Sequence, residues 1–336
     1  MSAAAPALRS FALRSTAGLE ATILCHGATL MRLRVPDASG RLGDVALGFD
    51  DPRDYLGPHP RLGCIVGRYA NRIAGARFAL AGRNFSLTAN DGPHTLHGGS
   101  RGFDKVAWDG ESLGDCAVEL RYRSADGEEG FPGNLETRVS YRLEGATLRI
   151  ACSATSDAPT VVSLASHAYW NLEDGGASPI LDHALWIAAS RYTPVDANGI
   201  PTGRIAAVVG TPFDFTTPHP IGARIEALIA ERGGYDHNLA LDCAGDLARP
   251  AARLSAPRSG RVMTVSTTLP GLQLYSGNCF GGAQRFRNGV ATPRFGAVAL
   301  EAQHFPNAPN EAGFPPAQLL PGERYAHTTV YAFDRD

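Results

Sequence analysis

"LETRVSYRLEGATLRIACSAT", residues Leu135 to Thr155, decides the fold. Val139, Tyr141 and Leu143 place an apolar side chain at every second position before the Glu144-Gly145 pair. A period of two is the signature of a half-buried strand, and the glycine supplies a turn, so the stretch reads as a β-hairpin. "VELRYRS" from Val118 alternates in the same way, and "RVMTVSTTLPGLQLYSGN", Arg261 to Asn278, reads as strand, turn, strand. The 38 glycines and 23 prolines are scattered between such apolar runs, as expected of many strands joined by turns.

The one helical period lies in "IGARIEALIAERGG", where Ile221, Ile225, Leu228 and Ile229 share a face and Gly233 offers a stop. One short helix cannot cover the two faces of a parallel sheet. The expectation is an all-β, antiparallel architecture, two large sheets packed face to face as a β-sandwich with few short helices. A prior of about 150 residues per domain suggests a division, but sandwiches run longer as one unit and no linker interrupts the pattern. A single domain over residues 1–336 is expected.

At 44% hydrophobic and 19% charged, the chain has the composition of a globular protein and not of a disordered one. A formal net charge of -2 offers no field to gather nucleic acid or anionic lipid. No apolar run approaches the roughly 18 residues of a spanning helix, and Arg9 and Arg14 interrupt the N-terminal stretch before a secretory core forms. Cys25, Cys64, Cys116, Cys152, Cys243 and Cys279 include no C-x-x-C pair and read as free thiols of a reducing, cytoplasmic compartment.

Several chemical motifs fail on context. "GGSRG" matches the nucleophile elbow with Ser100 at its centre, but the helix that should follow the serine is missing. "EAQH" places Glu301 and His304 at a di-iron spacing, yet Pro306 and Pro309 oppose a helix there. His94 and His97 in "PHTLH" lack further ligands, so no metal and no cofactor are expected. What remains are polar clusters beside aromatics, a pattern that suits a sugar, whose C–H faces lie on rings while its hydroxyls take directed hydrogen bonds.

The ordered series "NRIAGARF", "HTLHGGSRGFDKVAWD", "SHAYWNL", "YDHNLALD", "LQLYSGN" and "LEAQHFPNAPN", closing with "LLPGERYAHTTVYAF", resembles the aldose 1-epimerase (galactose mutarotase) family over nearly the whole chain. The resemblance implies the large supersandwich of that family and the interconversion of α and β anomers of free aldoses such as galactose and glucose. It implies no cofactor and no metal, a monosaccharide as the partner, and a monomer or homodimer. An epimerase for another aldose, such as L-arabinose or xylose, and a non-catalytic sugar-binding protein on the same fold are the alternatives.

By the same resemblance Glu301 is the base that takes the proton of the anomeric hydroxyl, and His167 in "SHAYWNL" is the acid that protonates the ring oxygen. Two such groups at roughly 100- to 10,000-fold each supply about 5 to 11 kcal/mol if their effects multiply. A carboxylate accepts a hydroxyl proton and an imidazolium donates one, so the side chains suit these roles. Asn71, Arg72 and His97 are implied to line the sugar site, with Arg72 and His97 as donors. Asp236 accepts from hydroxyls, Gln273 both donates and accepts, and His237 is structural. The chain departs from the family pattern at Ala168, Trp170, Ala302 and Glu311, and the indole of Trp170 is expected beside the pocket, where it would influence which hydroxyl configuration is accepted.

Overall fold

The hairpin at Leu135–Glu144 and Thr147–Ser156 pairs along its whole length, with Leu135 opposite Ser156 and Glu144 opposite Thr147. Its two-residue turn is Gly145-Ala146, one position beyond the expected pair, and Gly145 takes φ 55°, a left-handed backbone that glycine adopts without strain. The computed structural model describes residues 8–243, 245–282 and 285–335. The hairpin sits inside a nine-stranded antiparallel sheet, in the order Asp109–Ser112, Ala117–Ser124, Leu135–Glu144, Thr147–Ser156, Tyr325–Arg335, Arg261–Thr267, Ala252–Ser255, Ala184–Ile187 and His219–Pro220. Burial alternates along both hairpin strands, as the period of two requires.

A six-stranded antiparallel sheet faces it, in the order Tyr169–Trp170, Val298–Gln303, Gly271–Tyr275, Asp236–Ala240, Arg191–Tyr192 and Ala206–Ala207. A four-stranded sheet, Ser10–Arg14, Glu20–Leu24, Thr29–Pro36 and Leu42–Asp44, contributes Leu13, Ile23, Leu30, Leu33 and Val35 to the same core. That core joins Val139, Tyr141, Ile150, Met263 and Tyr331 of the large sheet to Leu239, Leu272, Leu274, Leu300 and Trp170 of the smaller one. Each fully buried leucine contributes about 1.5–3 kcal/mol of transfer free energy.

The segment Arg261–Asn278 does form two strands, but they are not a hairpin. Arg261–Thr267 pairs with Tyr325–Arg335 and Ala252–Ser255 in the large sheet, whereas Gly271–Tyr275 pairs with Val298–Gln303 and Asp236–Ala240 in the smaller one. Both strands have both edges filled by other strands, so the short link through Pro270 crosses from one layer to the other. The expected helix also differs in kind. Ile221–Leu228 is 3₁₀ and only Ile229–Arg232 is α, ending at Gly233 with φ 76°. The apolar face is as expected, with Ile221, Ile225 and Leu228 buried.

All six cysteines are free; Cys25, Cys64, Cys152 and Cys243 are buried and Cys279 is exposed. Among the described residues no helix is long and apolar enough to cross a membrane.

Candidate functional site

Pairing in the six-stranded sheet puts Gln273 opposite Glu301 and Asn238 opposite Gln273. Residues directly opposite in an antiparallel pair share a face. By the period of two, Asp236, Asn238, Gln273, Tyr275, Glu301, Gln303 and Tyr169 therefore line one face, while His237, Leu239, Leu272, Leu274, Leu300 and Trp170 line the other. The second set is the core. The first is a polar floor, and over it lies a cavity of about 210 Å³ bordered by Arg61, Asn71, Arg72, His97, His167, Tyr169, Asp236, Tyr275, Cys279 and Glu301. That volume is below the roughly 300–1,000 Å³ that holds drug-sized ligands, and suits one small molecule. A larger cavity of about 850 Å³ lies against the nine-stranded sheet, lined by Glu119, Arg138, Ser153, His327 and Thr328 among others, but its Glu119–Arg138 pair, 3.0 Å apart, is a partly exposed ion pair and not a buried proton-transfer pair.

Two loops bring the remaining groups over this floor. Asn71 and His97 both adopt left-handed backbones, φ 63° and 53°. They lock each other: the His97 amide donates to the Asn71 carbonyl at 3.0 Å, and the Asn71 amide donates to His97 Nδ1 at 3.1 Å. Because Nδ1 accepts, the neutral ring carries its proton on Nε2, which makes it a donor. Burial, and then the Arg61 guanidinium, hold the His97 ring well below the ordinary histidine range and so uncharged. Gly98 follows with φ 87°, and a Cβ there would lie 1.9 Å from the Gly67 carbonyl oxygen, so only glycine fits beside His97. Ser100, in the same run, is exposed, with its amide held by Glu129 Oε2 at 3.0 Å, a turn residue and not a nucleophile.

The loop after Glu301 clamps this arrangement. Asn307 donates its amide to the Arg72 carbonyl at 2.7 Å and accepts from the Ala74 amide at 2.9 Å. Arg72 Nε meets Asp91 at 2.7 Å and its Nη1 lies 3.9 Å from Asp236. Asp236 accepts from Gln273 Nε2 at 2.7 Å and from Arg232 Nη2 at 2.7 Å. Gln303 Nε2 donates to Gln273 Oε1 at 3.4 Å, which leaves the second proton of the Gln273 amide and one lone pair of its oxygen uncommitted.

His167 Nε2 stands 3.8 Å from Glu301 Oε1, and both side chains are nearly inaccessible. The imidazole lies between Tyr169 and His97, with ring centroids 4.9 and 5.4 Å away. Glu301 Oε2 and His167 Nδ1 are buried without a hydrogen-bond partner, an expensive condition that a bound ligand relieves. Burial, followed by the charge of Asp236, pushes the Glu301 carboxyl up to about 8, against the pull of Arg61 and Arg72. Burial, followed by Arg61, pushes His167 down to about 3. Both shifts favour a neutral carboxylic acid beside a neutral imidazole, the opposite distribution from the carboxylate and imidazolium expected from sequence.

Every residue expected at the site, Asn71, Arg72, His97, His167, Asp236, Gln273 and Glu301, is gathered around this floor. His237 lies on the core face beside Phe213, ring centroids 4.3 Å apart. His304 is directed elsewhere, 5.3 Å from the ring of His327, so the Glu301-x-x-His304 spacing makes no joint site on this strand. Donor atoms of His97, His167 and Glu301 lie within 4.8 Å of one another. Tetrahedral zinc at about 2.0–2.1 Å requires ligand atoms roughly 3.4 Å apart, so the trio would have to contract to hold such an ion.

Trp170 corrects one expectation. Its side chain is fully buried in the core, 4.8 Å from the ring of Tyr331, and it is Tyr169 that faces the cavity. The period of two across the Tyr169-Trp170 pair carried that signal. Its Nε1 is buried without a partner, so replacement by phenylalanine loses packing but also removes an unsatisfied donor. Trp170→Phe is expected to cost about 1–2 kcal/mol in denaturant unfolding and to leave ligand selectivity at the cavity unchanged. Sequence reading also passed over Arg61, Arg232 and Tyr275; of these Tyr275, two residues beyond Gln273 in the same strand, had a spacing that could have revealed it.

A sequence model of the family described as "Aldose 1-epimerase" matches residues 9–332. A galactose mutarotase of Sus scrofa is 42% identical over 315 residues, 94% of this chain and 91% of that protein. An aldose 1-epimerase of Escherichia coli (strain K12) is 38% identical over 330 residues, 97% of this chain and 95% of that protein. The crystal structure of a GalM/aldose epimerase homologue from C. elegans superposes with a TM-score of 0.89 at 30% identity, covering 97% of this chain and 99% of that one.

Proposed function

This chain belongs to the aldose 1-epimerase family and is a mutarotase, an isomerase of carbohydrates, and on that premise we propose that Glu301 and His167 open and reclose the ring of free aldohexoses such as galactose and glucose. The observation that carries the assignment is the His167–Glu301 pair, 3.8 Å apart across the floor of a cavity of monosaccharide scale.

Glu301 as carboxylate takes the proton of the anomeric hydroxyl, and His167 as imidazolium gives one to the ring oxygen. The C1–ring-oxygen bond breaks, the aldehyde forms, and rotation about C1–C2 presents its other face. Closure returns both protons. The charged pair thus exists with the closed sugar and the neutral pair with the open chain. Because burial disfavours charge on both side chains, the pocket favours the step that discharges them, which is ring opening. His97 Nε2–H and Arg72 supply donors to sugar oxygens, Asp236 accepts from a hydroxyl, and Gln273 both donates and accepts through its amide. We place the protein in the cytoplasm on its six free thiols.

Polarimetry on freshly dissolved α-glucose, α-galactose and L-arabinose tests the reading. Accelerated equilibration of the two hexoses is the expected outcome. A preference for the pentose reassigns the substrate, and no acceleration of any sugar above the buffer control leaves a binding protein in place of an enzyme.

A further inference from the structure

Arg61 borders the same cavity as Glu301 and His167, and its charge is the least committed there. Arg72 and Arg232 each hold a carboxylate at 2.7 Å. Arg61 has only an ion contact, Nε to Asp104 Oδ2 at 3.6 Å, and Lys105 Nζ approaches that same oxygen at 3.6 Å. Among the described residues the Arg61 guanidinium makes no hydrogen bond, its Nε is buried without a partner, and the side chain is 25% exposed. A backbone φ of 58° holds it beside Pro60 at the cavity wall. Left-handed backbone at a non-glycine residue is costly and persists where the surroundings impose it.

A guanidinium is a planar fork of five donors, and its best complement is a carboxylate, which accepts two parallel hydrogen bonds. A neutral sugar offers this fork hydroxyl oxygens, singly or as a vicinal pair, but no charge to meet its own. We propose that Arg61 forms an anion subsite that receives the carboxylate of a hexuronic acid, while C1 of the same sugar lies against Glu301 and His167. Such a sugar exchanges a terminal CH₂OH for a carboxylate without lengthening the molecule, which suits a cavity of about 210 Å³. A phosphate would require further free donors, and the neighbouring guanidiniums of Arg72 and Arg232 are already paired. The proposal rests on the mutarotase reading and narrows its substrate class.

The test measures kcat/KM for anomer exchange of D-glucuronate, D-galacturonate, D-glucose, D-galactose and D-glucose 6-phosphate with the full chain, its Arg61→Met variant and its Arg61→Lys variant, at low and high salt. Charge-assisted hydrogen bonds set the scale, so the uronate-to-hexose ratio is expected to be about 10- to 100-fold in the parent protein. Arg61→Met should bring that ratio to about one, chiefly through KM, with partial recovery in Arg61→Lys and a decline with salt. A ratio of one or less in the parent, or a ratio that Arg61→Met does not change, overturns the subsite while mutarotation of hexoses stands. Preference for the 6-phosphate over the uronates overturns the carboxylate assignment. Exchange of none of the sugars overturns the mutarotase reading itself. Using the ratio cancels any general loss of folded enzyme in the variants.

Discussion

Glu301→Gln is expected to slow anomer exchange by about 100- to 10,000-fold in kcat while sugar affinity stays within about tenfold. The amide keeps the shape of the carboxyl and can still bond a hydroxyl, but it cannot take its proton. The same substitution is expected to stabilise the fold. The carboxyl's ordinary value is 4.5 and its folded value about 8. Between these the native state binds the proton that the unfolded chain has released, so the carboxyl's contribution to stability falls as pH rises through that window. Glutamine has no such dependence. The gain in stability should be absent below about pH 4.5 and complete above about pH 8, up to about 5 kcal/mol for the full shift. Thermal unfolding across this range, beside polarimetric kcat, checks both halves. Near-normal turnover would remove Glu301 from the role of base, and a loss of stability at pH 8 would show that its burial is not costly.

What the sequence made legible follows the range of the interactions. Alternation is local, so the hairpin at Leu135–Thr155 could be read directly, whereas the strand Val298–Gln303 that carries Glu301 is buried at every position and shows no period of two. The destination of Arg261–Thr267 and Gly271–Tyr275 could not, because their partners lie far along the chain and decide which sheet each joins. The seven site residues came from motifs, and the structure supplies the reason they converge: three of them, Asp236, Gln273 and Glu301, stand on adjacent strands of one face. Trp170 was misplaced because the motif was read as a block and not by its period of two. Arg61 had no signal at all, since its position depends on a left-handed backbone at an ordinary-looking residue. Nor could sequence show that burial reverses the resting protonation of the acid and the base, which is a property of the assembled pocket.

That reversal makes the pH profile of a His167 variant the more searching experiment. In the parent enzyme the productive state carries one proton on the pair, and burial, which pushes Glu301 up to about 8 and His167 down to about 3, keeps a one-proton state populated across neutral pH. Above about pH 8 the pair loses its only proton, the acid is missing, and kcat/KM is expected to fall. His167→Asn removes the acid and leaves Glu301 as a lone base, so kcat should drop about 100- to 10,000-fold. The residual activity should then rise with pH as Glu301 ionises, where the parent declines. Loss of the neighbouring imidazole also admits solvent, which lowers the cost of ionising the carboxyl and moves the rise below pH 8. A structural histidine would lower activity at every pH without inverting the slope. Rate measurements from pH 6 to 9.5 on both proteins therefore distinguish an acid paired with Glu301 from a side chain that only packs against Tyr169.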